Sequence, residues 1–94
     1  MFDNEHYLTC GIEAAIPPIT QLLLWQMIDL LPTEPDYLQV FELSDHEGVQ
    51  KILHKQERPE YEAEAVLIGP EPVSAKIFVI DDGDHSTMLL ADEY

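Results

Sequence analysis

Asp81, Asp82, Asp84 and His85 place four ligand-type side chains within five consecutive residues, DDGDH. No other five-residue stretch of the chain holds four such groups. Two chemistries use such groups: holding a cation, and moving a proton. If Asp82-Gly83 is a two-residue hairpin turn, Asp81 opposes Asp84, and like charges directly opposed in a hairpin are unfavourable. A divalent cation would relieve them. The spacing lacks the further acids and the distal Glu of a helix–loop–helix calcium site, and acids at a turn tip are screened by water. Asp84, His85 and Ser86 carry the letters of a triad. Neighbouring strand residues point to opposite faces, so His85 and Ser86 cannot share a proton there. Cys10 is the only thiol. A nucleophilic cysteine needs a cationic or helix-N-terminal setting; the residues around Cys10 are mostly acidic, so it is expected to be a small buried hydrophobe. His6 and His46 are expected to be solvated, in a tail and a loop. There is no glycine-rich phosphate loop and no His-Glu-x-x-His motif. No catalytic residue and no cofactor is assigned.

These groups can act only where the surrounding elements hold them. The one long helical pattern is Pro17–Leu31, PPITQLLLWQMIDLL. Proline suits the first helical position, where its missing N–H had no partner, and Pro32 predicts the stop. At about 100° per residue, Ile19, Leu23, Leu24, Met27, Ile28, Leu30 and Leu31 cover half the wheel, with Gln21, Gln26 and Asp29 opposite. Leu22 and Trp25 fall on the polar side. An apolar overflow of that kind points to a contact surface for a partner or a second copy.

The rest of the chain reads as strands that fold onto this helix. Met1–Glu5 is expected to fray, Tyr7–Cys10 to form a first strand, and Gly11 to turn the chain out. After the linker Pro32–Pro35, Asp36–Ser44 and Val49–Gln56 form a hairpin across a loop at Asp45–Gly48. Setting Ser44 opposite Val49 aligns Glu42 with Lys51, Phe41 with Ile52 and Val40 with Leu53, one ion pair and two apolar pairs in register. Gln39 then opposes His54, which makes His54 a hydrogen-bonded sheet residue. Arg58-Pro59 interrupts the ladder. Glu60–Val66 is an edge strand with Glu60, Glu62 and Glu64 on one face, about 7 Å apart, where charge discourages unwanted pairing. Ile68–Pro72 is a loop. The hairpin Ala75–Ala91 turns at Asp82-Gly83. Its inner face is Ala75, Ile77, Val79, Met88 and Leu90. Its outer face, Lys76, Phe78, Ile80, His85, Thr87 and Leu89, is too apolar for full exposure, so Glu60–Val66 or a partner must cover it.

The totals narrow the partners. The chain has 94 residues, 19 Asp and Glu, and four Lys and Arg, for a formal charge of −15. One domain of this size has a single core. The charge repels nucleic acid and anionic membrane and leaves basic proteins or cations as partners. A lone cysteine forms no internal disulfide and suits a reducing compartment. The N-terminus, MFDNEHYL, has acids where a signal peptide carries a basic region, and no apolar run is long enough to span a bilayer. A cytoplasmic location is therefore expected.

Three strings, DYLQVFEL at Asp36–Leu43, GVQKI at Gly48–Ile52 and AKIFVIDDGDHSTMLL at Ala75–Leu90, resemble a short bacterial family, domain of unknown function 960. The helix string LWQMIDLL at Leu24–Leu31 is similar to that family's apolar helix, and the likeness runs from Tyr7 to Tyr94. The resemblance implies Gram-positive bacteria of the low-GC group and an α+β fold; it implies no enzyme, cofactor or site residue.

Together these readings predict an α+β domain over residues 1–94. One amphipathic helix packs on a mostly antiparallel sheet of about five strands, in the order β-α-β-β-β-β-β. The leading expectation is a non-enzymatic protein-binding or regulatory module. Its contacts would be Leu22, Trp25, Phe78 and Leu89. In a narrower form, Glu60, Glu62 and Glu64 with the Asp81–Asp84 turn mimic the charge of nucleic acid and occupy a basic surface. The alternatives are a metal-dependent protein or enzyme using Asp81, Asp82, Asp84 and His85, and a structural homodimer.

Overall fold

Leu38–His46 and Val49–Gln56 alternate side chains toward and away from an apolar layer, and each forms a long strand. In the computed structural model, which describes Met1–Tyr94, the elements run β1 (Glu5–Leu8), α1 (Cys10–Ala15), α2 (Pro18–Asp29), β2 (Leu38–His46), β3 (Val49–Gln56), β4 (Tyr61–Leu67), β5 (Ala75–Asp81), β6 (His85–Leu90) and a 3₁₀ turn at Ala91–Glu93. The expected α+β class holds, with two corrections. The sheet has six strands, in the order β1-β6-β5-β2-β3-β4, and it is mixed, because β1 pairs in parallel with β6. No helix is long and apolar enough to cross a membrane.

One face of the sheet is covered. Ile12 and Ile16 from the α1 region and Leu24 and Ile28 from α2 pack on Phe41, Leu43, Ile52, Ile77, Val79 and Met88. The sheet residues in this set share one face by the period of two. Helix α2 starts with Pro18 in its first turn, as expected, but it ends at Asp29, ahead of Pro32. Its buried stripe is Thr20, Leu24 and Ile28. Ile19 and Leu30, expected inside, are exposed, Leu30 at 77%.

The N-terminus overturns three expectations. Met1–Glu5 does not fray: Phe2 is 2% exposed within the core, a burial worth about 2 kcal/mol, and its amide donates to Asp81 Oδ2 (2.8 Å). The first strand is Glu5–Leu8, earlier than Tyr7–Cys10. The residues that follow form the short helix α1, and Cys10 is exposed, not buried. Helix α1 is pinned from both sides. Thr9 Oγ1 accepts from the Ile12 amide (3.3 Å) and donates to Glu93 Oε1 (2.6 Å). Glu93 also accepts from the amides of Gly11 and Leu90 (3.3 and 2.8 Å), and these bonds hold its carboxyl below the usual range.

Both hairpins are shifted by two residues from the expected register. In the first, Ser44 opposes Lys51 and Leu43 opposes Ile52. The loop is therefore not Asp45–Gly48 but the two residues Glu47 and Gly48, whose φ values of 53° and 85° suit the tight turn that matches strand twist. In the second, Asp81 opposes Ser86 and the Asp82 amide donates to the His85 carbonyl (3.0 Å). The tip is Gly83–Asp84, with Gly83 at φ 103°, one residue beyond the expected Asp82-Gly83. A slip of two preserves every inward and outward assignment, so the expected faces survive. Arg58-Pro59 is a cis peptide, and β4 is an edge strand.

Candidate functional site

The structure separates the expected contact residues. Leu22 and Trp25 belong to α2, on the covered side of the sheet, whereas Phe78 and Leu89 project from its other face. Leu22 is 61% exposed. Trp25 is not free: its ring stacks on His6 of β1 with centroids 3.8 Å apart and planes 5° off parallel. His6 Nε2 in turn bonds the Phe2 carbonyl (2.8 Å). His6 is thus a tie between α2 and β1, and not simply a solvated tail residue.

The acidic turn is engaged internally. Asp81 is buried and accepts from the Phe2 amide, the Gly83 amide (2.8 Å) and Asn4 Nδ2 (3.1 Å). Burial pushes its carboxyl up, but those donors and the Met1 ammonium outweigh burial and leave it below the usual range. Asp82 Oδ1 accepts from the amides of Asp84 and His85, and Asp82 Oδ2 lies 3.1 Å from His85 Nε2. Asp81 therefore faces the N-terminal segment and Asp82 closes its own turn. No group of three or more His, Cys, Asp or Glu side chains converges as a metal-ligand set.

His54 is 1% exposed, between the rings of Phe41 (4.4 Å) and Tyr61 (5.6 Å). Burial lowers its pKa to about 4. Gln39 donates through Nε2 to the Asp36 carbonyl and Gln56 Oε1, so its Oε1 faces His54 Nε2, which donates (2.7 Å). The expected Gln39–His54 contact is present, but as a diagonal neighbour, since Phe41 is the residue opposite His54. Gln56 carries the chain of bonds on to Thr33, Glu34 and Pro59. These groups tie loops to the sheet.

What remains is the uncovered face. Its register places Tyr7 on β1, Thr87 and Leu89 on β6, Phe78 and Ile80 on β5, Leu38 and Val40 on β2, and Leu53 on β3. A solvated sheet face ordinarily carries polar side chains; this one carries an apolar band across its four central strands, with charged residues on either side of it. Glu60–Val66 does not cover it, as one expectation had it, because that segment lies in the plane of the sheet as edge strand β4. Tyr94 reaches over, edge-on to Phe78 at 5.7 Å, and the expected contact residue Leu89 is buried, at 9% exposure. Val40 and Phe78 are cross-strand partners on the two middle strands.

Charge rims this apolar centre. Lys51 pairs with Glu64 (3.1 Å) and Lys55 with Glu42 (3.5 Å). Lys76 Nζ sits 5.8 Å from the Phe78 ring centroid, within cation–π range. A groove of about 490 Å³ runs beside Val40, lined by Glu42, Lys55, Arg58, Glu60, Glu62 and Lys76 among others. The row Glu60, Glu62, Glu64 is thus partly neutralised by lysines. It also stands at β4, the far edge from the β5–β6 turn, so the two acidic stretches do not form one surface. The groove was not legible in advance, because Arg58 and Lys76 come to line it only through the β2–β5 pairing.

The sequence profile of a family described as a staphylococcal protein of unknown function, DUF960, matches residues 5–93. A crystal structure of a protein of unknown function from Enterococcus faecalis is similar to this chain with a TM-score of 0.86 and 26% sequence identity, covering 98% of this chain and 92% of that one. Nothing among the curated proteins matches.

Proposed function

The chain belongs to the DUF960 family, a membership that brings a fold and no activity, and from that premise we propose a protein-binding module that works through the uncovered face of its sheet. One observation carries the reading. The face has an apolar centre of half-buried Val40, Leu53, Phe78 and Ile80 beside the buried Leu89, and the helices pack on the opposite face, with the ring of Tyr94 edge-on to Phe78. Contiguous apolar surface rimmed by polar groups is what interfaces look like before they close. The titratable groups with shifted pKa values in the interior, Asp81 and His54, are occupied in holding segments together, which favours binding over catalysis. The net charge of −15 disfavours a phosphate backbone as the occupant.

The test is a photocrosslinking phenylalanine analogue in place of Phe78, expressed in the host cell. Irradiation is expected to yield a defined crosslinked protein species, whereas the same analogue at exposed Glu71 on the Ile68–Pro72 loop yields none. No crosslink from position 78 would sink the proposal.

A further inference from the structure

We propose that the occupant of this face is a second copy of the chain, the two sheets packing face to face about a twofold axis near the Val40–Phe78 pair. The inference rests on the docking reading above. It adds an argument from charge. The chain has only four Lys and Arg residues, and all of them serve this face: Lys51, Lys55 and Lys76 by strand register, and Arg58 from the turn that lines the groove. Among them stand Glu5, Glu42, Glu57, Glu60, Glu62 and Glu64. The uncovered face therefore sets four bases against six acids, while every other part of the surface bears acids without any Lys or Arg.

Two molecules of charge −15 repel least when the faces that carry the basic residues meet. The acid-only sides then point away. The molecule is 20 Å thick along its shortest axis, so the acid-only surfaces of the two copies lie farther apart than the roughly 8 Å over which charge is felt at physiological salt. Lysines and glutamates interleaved on the same face also let a twofold axis bring each sign against the other. The two longer extents of the molecule, 36 and 27 Å, bound any one face at about 970 Å², so most of the face must take part to reach the roughly 800 Å² per partner of a standard stable interface.

Sedimentation equilibrium of the purified chain at tens of micromolar tests this. The expected mass is twice the 10.7 kDa of one chain, with association strengthened by added salt. Phe78→Glu is expected to weaken association by roughly tenfold or more. Lys76→Glu, at an exposed position where unfolding is not a concern, should do the same by charging the face. Leu22→Glu, on the helical side, should leave the doubled mass unchanged. A single-chain mass at all concentrations and salts overturns the second copy. So does a dimer that survives Phe78→Glu and Lys76→Glu but is lost in Leu22→Glu. The crosslink from position 78 then separates the two ideas. A link to a different protein leaves the docking face standing with another occupant. A link to no protein removes both.

Discussion

Burial in an aromatic bracket keeps His54 neutral, and that has a sign that can be measured. An unfolded histidine titrates near 6.5; in the folded chain the value falls to about 4. Between these values the unfolded chain takes up a proton that the folded chain refuses. The stability contributed by His54 is whole above the unfolded value and is lost as pH falls toward the folded one. Relative to His54→Gln, the wild type should lose about 2 kcal/mol between about pH 7 and about pH 5. Urea unfolding of both proteins at the two pH values measures it, and the comparison cancels the change in carboxylate repulsion that both share. Parallel behaviour would mean that His54 is hydrated in the folded state. That His54 is a sheet residue was legible, since it lies in a strand pattern with a glutamine within reach. Asp81 was not. Its letters read as a surface acid in a turn, and only the return of Phe2 and Asn4 to its side makes it a buried acceptor.

Helix α2 presents two residues that look alike on a wheel and differ in what packs against them. Trp25 stacks on His6 beside the core, while Leu22 faces outward. Trp25→Gln should cost roughly 2–3 kcal/mol, and Leu22→Gln should stay within about 0.5 kcal/mol. Thermal melts of the two variants decide; equal shifts would show that Trp25 has no seat on β1. The sequence could not distinguish them because the seat is a parallel strand from the chain's first residues, and parallel pairing leaves no local mark. Helix α1 escaped for a similar reason. CGIEAA is far below the length at which a helix stands alone, and it persists through Thr9 and Glu93. Both hairpins, by contrast, were legible as hairpins with the right residues inside. Their register was not, since a shift of two leaves the pattern of faces unchanged. Phe78 and Leu89 could be assigned to an outer apolar face on that alternation alone.

At the scale of the whole molecule, charge is sorted by side. The uncovered face mixes lysine with glutamate and the remainder is acidic, so self-repulsion is carried by surface that makes no compensating pair. Raising sodium chloride from about 10 mM to about 150 mM shortens the screening length from roughly 30 Å to roughly 8 Å. The melting temperature should rise over that range, as repulsion among the acids fades; a fall would mean that the Lys51–Glu64 and Lys55–Glu42 pairs dominate. The sheet that carries this face also has an order in time. Phe2 bonds Asp81 across 79 positions of chain, and β1 pairs with β6, whereas β2–β3 and β5–β6 are local hairpins. Closing the long loop costs more entropy than closing either hairpin, so the local ladders come first. During synthesis Glu5–Leu8 leaves the ribosome before its partner His85–Leu90 exists, and must wait for it before it has a neighbour.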